Sequence, residues 1–309
     1  MRWRESIARI DVGGPGRGPR GTGALVTDRL VLTALHVVAD RRREPPAFHP
    51  GPIQITFAGR AGPVEARVVP GAWDPKADFV LLECLESPGA RPIPLGELHP
   101  DDPGDVDRPW ETFGFPDAKP DGMRVVGAVR LPLGRYEESP AIQLYCEEAA
   151  AGDGAPVAGL SGAPCIVDGA LVGVVRSSLL KQGANVAGTL FACPMSLVLS
   201  RVGARLPSPD PIRGLPGLSR GDLPASPFRY LHHYEAGDAE VFFGRAAAIR
   251  ALWERITDDG GPPILVLFGQ SGVGKSSLLD AGLAPRLAAS HAYRYLRRDR
   301  ERGLAGTLA

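Results

Sequence analysis

Glycine (39 residues) and proline (31) interrupt this 309-residue chain so often that the composition argues against a long helical bundle. Such punctuation permits short strands joined by many turns. Up to residue 202 the apolar runs are brief, rich in Val, Ile and Leu, and bounded by Gly, Pro or Asp: 23–27, 30–33, 53–57, 79–83, 124–129, 142–146 and 171–175. This spacing predicts an all-β sandwich or a pair of barrels. Residues 203–226 carry Pro207, Pro209, Pro211, Pro216 and Pro224 and have the composition of a linker. Beyond them the pattern changes. Residues 246–256 have helical apolar spacing, Ile264-Leu265-Val266-Leu267-Phe268 suits a buried parallel strand, and 276–289 reads as a helix. The expected organisation is therefore a domain over 1–202, a linker over 203–226 and a second domain beginning at 227.

The 35 basic and 35 acidic side chains cancel, so no global field draws the chain to nucleic acid or to an acidic membrane. No apolar run approaches the length of a membrane span, and Met1-Arg2-Trp3-Arg4-Glu5-Ser6 is not followed by the apolar stretch of a secretory signal. Cys84, Cys146, Cys165 and Cys193 lie far apart with no Cys-x-x-Cys spacing, which speaks against a zinc site. They read as reduced thiols of a cytoplasmic protein, with a Cys165–Cys193 pairing left open by the sequence.

Three segments of the β region carry chemistry: Val31 to Val38 around His36, Ala77-Asp78-Phe79-Val80, and Gly159-Leu160-Ser161-Gly162-Ala163-Pro164. A serine hydroxyl is a poor nucleophile near neutrality and needs a base within hydrogen-bond reach, which His36 supplies. An imidazole in that role needs an acceptor on its other nitrogen, and Asp78 supplies it. Asp74 is the rival for that place. Glycines 159 and 162 let the chain turn sharply around Ser161, so that the amides of Gly159 and Ser161 converge as an oxyanion hole.

The order His, Asp, Ser is that of chymotrypsin, and the segments resemble the trypsin-like serine proteases over roughly residues 5–200. Thr33-Ala34-Leu35-His36 resembles the family's Thr-Ala-Ala-His, residues 159–164 its Gly-Asp-Ser-Gly-Gly-Pro, and Phe113-Gly114-Phe115-Pro116 the opening of its second barrel in bacterial members. The resemblance implies two packed β-barrels with His36, Asp78 and Ser161 in the cleft between them. Two departures stand out. Leu160 replaces the acid that receives a freshly cut amino terminus in digestive relatives, and Val37 replaces a disulfide cysteine. Both fit an intracellular enzyme. By the same likeness Ala155 falls at the floor of the specificity pocket, with Asp153 nearby, and Val174 to Ser178 form its wall. Arg176 there either attracts an acidic side chain or, more simply, is solvated.

A second constellation, Gly269-Gln270-Ser271-Gly272-Val273-Gly274-Lys275-Ser276, fits the phosphate-binding P-loop pattern. Lysine occurs only at positions 76, 119, 181 and 275, so an accidental match is about a 0.5% event. The glycines let backbone amides converge on phosphate, Lys275 reaches the β and γ phosphates of ATP, and Ser276 binds Mg²⁺. With Phe228-Arg229-Tyr230-Leu231, Asp238 to Arg245, and Ser277 to Leu287, the region 227–309 resembles the STAND class of ATPases. In that class the Phe243-Gly244-Arg245 segment lies near the adenine.

No apolar strand ending in Asp or Glu follows Ser276, and His291 to Leu296 reads as the second strand. The ATPase core is thus expected to be partial, a fragment of a longer chain, without ATP hydrolysis of its own. Arg294, Arg297, Arg298, Arg300 and Arg302 read as a solvated face. The fold class expected is multidomain: an all-β trypsin-like double barrel followed by a partial α/β P-loop NTPase domain. The function expected is an intracellular serine endopeptidase acting on protein or peptide, coupled to an ATP-binding switch in bacterial signalling or defence. The alternative is an inactive protease-fold binding module. Neither nucleic acid nor membrane is expected as a partner, and oligomerisation would run through the NTPase of the full-length protein.

Overall fold

The computed structural model describes residues 3–13, 20–98, 105–116, 119–150, 159–181, 184–209, 226, 228–230, 232–242, 245–258, 260–288, 291–294 and 296, with backbone alone at 177–181, 184–187 and 246–247. The chain divides into two compact units, 1–217 and 218–309.

The first unit consists of two closed six-stranded barrels. The first barrel is formed by β1 (Ile7–Val12), β2 (Arg20–Leu25), β3 (Leu30–Thr33), β6 (Ile53–Phe57), β7 (Val64–Asp74) and β8 (Phe79–Cys84), in the order β1-β2-β3-β8-β7-β6. A small sheet of β4 (Ala39–Asp40) and β5 (Ala47–Phe48) stands beside it. The second barrel contains β9 (Pro109–Gly114), β10 (Met123–Tyr136), β11 (Ser139–Cys146), β12 (Pro164–Val167), β13 (Ala170–Lys181) and β14 (Ala184–Pro194). Helix α1 (Glu147–Ala150) follows β11, and α2 (Met195–Val202) follows β14. The pairing is antiparallel throughout both barrels, as a chain turning back every few residues requires.

Alternation along the strands sorts the side chains into three cores. On β8, Val80 and Leu82 fill the first barrel, while Phe79 and Leu81 face the layer shared by the barrels. On β13, Val172 and Val175 fill the second barrel, while Leu171 and Val174 join that same shared layer. Alternation lets β8 serve two cores at once, and on β13, where partners step by three, the register shift opposite Cys165 and Ile166 keeps the same division. Full burial of a side chain such as Phe79 contributes about 1.5–3 kcal/mol. The shared layer joins the barrel that carries the Asp78 loop to the barrel that carries the serine turn.

All four cysteines are free and buried. Cys165 faces the interior of the second barrel and Cys193 the layer between barrels, so the two thiols lie on different faces of the sheet. Burial pushes the thiols of Cys84 and Cys146 up to about 11, and those of Cys165 and Cys193 further, so they are neutral and inert at physiological pH.

In the second unit, helix α3 (Ala246–Ile256) forms as the periodicity predicts. A helical segment runs from Lys275 to Leu287, with a π-helical stretch at Leu278–Leu283. The expected strand 264–268 does not form: Ile264, Val266 and Phe268 are exposed. The described part of 291–296 is not a strand either. The reason is physical. A parallel strand is stable only when neighbours complete its hydrogen-bond ladder and helices cover its faces. Among the described residues of 218–309 no strand is available to pair with the apolar run. No helix among the described residues is long and apolar enough to cross a membrane.

Candidate active site

His36 sits in a single 3₁₀ turn, Leu35–Val37, at the end of β3. Leu35 and Val37 are buried on either side of it, so the turn is pinned by its apolar neighbours and presents the imidazole outward. Asp78 heads β8 with a left-handed backbone, φ 59°. Its position is fixed from both directions. The Asp78 amide donates to Asp74 O at 2.8 Å, and the Leu35 amide donates to Asp78 O at 3.3 Å.

The carboxylate of Asp78 is buried and uses both oxygens on His36. Oδ1 accepts the His36 backbone N–H at 3.0 Å, and Oδ2 lies 2.7 Å from ring Nδ1. A carboxylate there accepts only, so the proton of a neutral ring rests on Nδ1 and leaves Nε2 as a base. Asp74, the rival acid, does other work: its Oδ1 accepts the amides of Lys76 and Ala77, and it pairs with Arg201.

Ser161 lies on the turn that precedes β12, and this turn belongs structurally to both barrels. Toward the second barrel, the Gly162 amide donates to Val175 O at 2.7 Å and the Val175 amide to Ala163 O at 2.8 Å. Toward the first, the Thr22 amide donates to Ser161 O at 2.8 Å. Gly162 has φ 83°, and a Cβ there would stand 2.0 Å from Thr22 O, 2.1 Å from Thr33 Oγ1 and 3.0 Å from Ala34 N. The serine turn is therefore pressed against the strand end that leads into His36. Gly159, the other glycine of the turn, also has positive φ at 91°.

Thr22 is the residue that the sequence reading missed. It is buried, and its hydroxyl donates to Gly159 O and accepts from the Phe115 amide. Its own carbonyl accepts from Thr33 Oγ1 at 2.7 Å. One threonine thus links the histidine strand, the serine turn and the start of the second barrel. The only local signal for it is the run Gly21-Thr22-Gly23, whose first glycine is required by close approach: a Cβ at position 21 would lie 2.5 Å from Val37 and 2.9 Å from Ser161 O. Leu160, at the departure from the family pattern, is buried. Ala155 and Asp153 fall outside the described residues. Arg176 is a correction: it is buried, not solvated.

In the second unit, Gly269 to Ser276 form an exposed to half-exposed loop running into the helix at Lys275. Gly272 and Gly274 adopt φ 82° and 85°, conformations that turn successive amides to one side. Lys275 Nζ donates to Gly269 O at 2.9 Å and Gln270 O at 2.7 Å, closing the loop on itself. Arg245 donates to Val273 O at 3.0 Å, while Phe243 and Gly244 lie outside the described residues. Of the basic run near the end of the chain only Arg294 is described.

Comparison with known proteins agrees with this division. Residues 21–174 match the family model of the trypsin-like peptidase domain, and residues 227–304 match that of novel STAND NTPase 1. No curated protein matches the chain. Among solved structures, a Mycobacterium tuberculosis protease in its active form is similar at 20% identity, with 67% of this chain and 84% of that one covered and a TM-score of 0.49. The same protein's inactive form gives 17% identity, 67% and 91% coverage and 0.48. The serine endoprotease from Yersinia pestis gives 17% identity, 66% and 63% coverage and a TM-score of 0.48.

Proposed function

We propose that this chain, in which a trypsin-like peptidase domain is joined to a STAND NTPase domain, is a cytoplasmic serine endopeptidase governed by an ATP-binding switch, acting on protein or peptide in bacterial signalling or defence. The observation that carries the reading is the 2.7 Å contact between His36 Nδ1 and Asp78 Oδ2 beside a serine turn held by Thr22 and Gly162.

In the proposed mechanism Ser161 Oγ attacks the scissile carbonyl and His36 Nε2 takes its proton, later passing it to the leaving amine. Asp78 keeps the ring oriented and stabilises the imidazolium as it forms. The amides of Gly159 and Ser161 receive the oxyanion, and each such donor is worth about 10²–10³ in rate. A fluorophosphonate probe is expected to label wild type, with the mass adduct on Ser161, and to leave Ser161→Ala unlabelled. Absence of labelling in this chain, both with and without ATP, would refute the reading in favour of a binding module.

For the second domain, the left-handed glycines and the lysine at the helix start suit a triphosphate: the 269–274 amides and Lys275 would hold phosphate oxygens, and Ser276 the accompanying Mg²⁺. ATP would supply the free-energy difference between two states of the switch. Lys275→Ala is expected to weaken binding of a fluorescent ATP analogue at least about tenfold in a titration of the intact chain, the loss of one charge-assisted contact of roughly 1.5–3 kcal/mol. Unchanged binding would remove ATP from the proposal.

A further inference from the structure

Arg176 occupies a costly position. Its side chain is wholly buried, and among the described residues its Nε and Nη1 have no hydrogen-bond partner. A buried guanidinium normally carries a full set of acceptors, because an uncompensated buried charge costs several kcal/mol. The residue is also next to the proposed chemistry. It follows Val175, whose amide and carbonyl both bond the Ser161 turn.

What faces the guanidinium is the tip of the β10–β11 hairpin. The Tyr136 ring lies 5.3 Å from the guanidinium carbon and stacks on Phe191 at 4.2 Å. Glu137 Oε2 is 3.4 Å from Nη2, long for a charge-assisted contact. That glutamate is half exposed and shared: its carboxylate also accepts from Arg41 Nη2 at 3.2 and 3.4 Å. Arg41 in turn stands 3.7 Å from Asp78 Oδ2. Lys76, in the Asp78 loop, holds the adjacent Glu138 at 2.9 Å. The hairpin tip is thus tied to the histidine–aspartate side of the cleft, and among the described residues one loose carboxylate contact is spent on Arg176.

We propose that Arg176 is the specificity-determining residue of the cleft and takes the carboxylate of a glutamate or aspartate side chain beside the scissile bond, with Glu137 holding that place in the free protein. The chemistry is that of the guanidinium fork, whose planar donors match a carboxylate two at a time, and Arg176 has donors to spare. Displacing Glu137 leaves it its bonds to Arg41, and a side chain at an exposed hairpin tip can rotate away without disturbing either barrel. The inference rests on the reading of Ser161 as nucleophile.

The test uses the full chain and two sets of peptides identical except for Glu or Gln before the cut. Wild type is expected to show kcat/KM about 10- to 100-fold higher for Glu, Arg176→Gln to bring the ratio near one, and Glu137→Gln to raise the rate on the Glu peptide by removing the internal competitor. Equal rates in wild type, or a preference that survives Arg176→Gln, would overturn the proposal. Fluorophosphonate labelling of Ser161 is run in parallel, so that failure of the nucleophile is seen separately. Should no peptide be cut, the same pairs are titrated against Ser161→Ala by fluorescence anisotropy. Tighter binding of Glu that Arg176→Gln abolishes upholds the site, and equal binding refutes it. If Arg176→Gln gives no cooperative melt, Arg176→Lys decides: a point charge without the fork is expected to keep a diminished preference, and an undiminished one counts against the site.

Discussion

Asp78→Asn is expected to lower kcat about 10⁴-fold while the protein still folds. The argument follows from the two oxygens. Asparagine keeps an acceptor for the His36 backbone N–H, which Oδ1 now binds at 3.0 Å. It puts an NH₂ donor where Oδ2 meets Nδ1 at 2.7 Å. The ring must then offer Nδ1 as the acceptor, so its proton moves to Nε2, the nitrogen proposed to take the proton of Ser161. The same NH₂ also faces Arg41 Nε, which a carboxylate attracts and an amide does not. We expect a stability cost of about 1–3 kcal/mol, read by thermal melting, beside the loss in kcat read on any peptide that wild type cleaves. Asp74→Asn is the control. That residue caps its own turn and pairs with Arg201, so activity should stay within about tenfold. If Asp78→Asn keeps activity within tenfold, or Asp74→Asn loses as much, the orienting role does not belong to residue 78.

The preference for Asp78 over Asp74 came from the family resemblance, in which the acid heads a strand as Asp78 heads the apolar run Phe79-Val80-Leu81-Leu82. Strands that are short and apolar throughout were legible from local composition alone. Others hid behind their punctuation. β7 contains Pro70-Gly71, which reads as a turn, yet the strand passes through them with a register shift between Val68 and Trp73. A bulge and a turn use the same residues and differ only in what lies alongside. β14 runs through Gly188, and β12 follows so closely on the serine turn that it does not stand out as a run.

The misreadings have one cause, dependence on partners distant in the chain. Residues 264–268 carry the local signature of a buried strand, but a strand in a parallel sheet is a property of its neighbours. Arg176 carries the local signature of a solvated arginine, but a hairpin tip about forty residues earlier in the chain covers it. Thr22 looks like an ordinary strand threonine and becomes a joint only when two barrels meet over it. Periodicity and turn chemistry speak within about a dozen residues, and these three positions are decided beyond that reach.

Gly162→Ala is expected to destabilise the first unit by about 2–5 kcal/mol and to remove activity. Two costs combine. Alanine at φ 83° is strained by roughly 1–2 kcal/mol. Its Cβ would then sit 2.0 Å from Thr22 O and 2.1 Å from Thr33 Oγ1, and overpacking of this kind costs about 1–3 kcal/mol more. For a unit of this size each kcal/mol lowers the melting temperature by about 2–4 °C, so a fall near 10 °C is expected. Relief requires the serine turn to retreat from β2 by about 1 Å, a displacement that costs about 10²-fold in rate by misplacing a reacting group. Gly169 separates the two costs. It has nearly the same backbone, φ 80°, at the β12–β13 turn, and a Cβ there meets nothing within 4 Å among the described residues. Gly169→Ala should therefore show the strain alone, a fall of about 3–5 °C with activity kept. The difference between the two variants measures how tightly the serine turn is held against the histidine strand. Equal melting temperatures would mean that the turn is free to move, and with it the geometry on which nucleophilic attack depends.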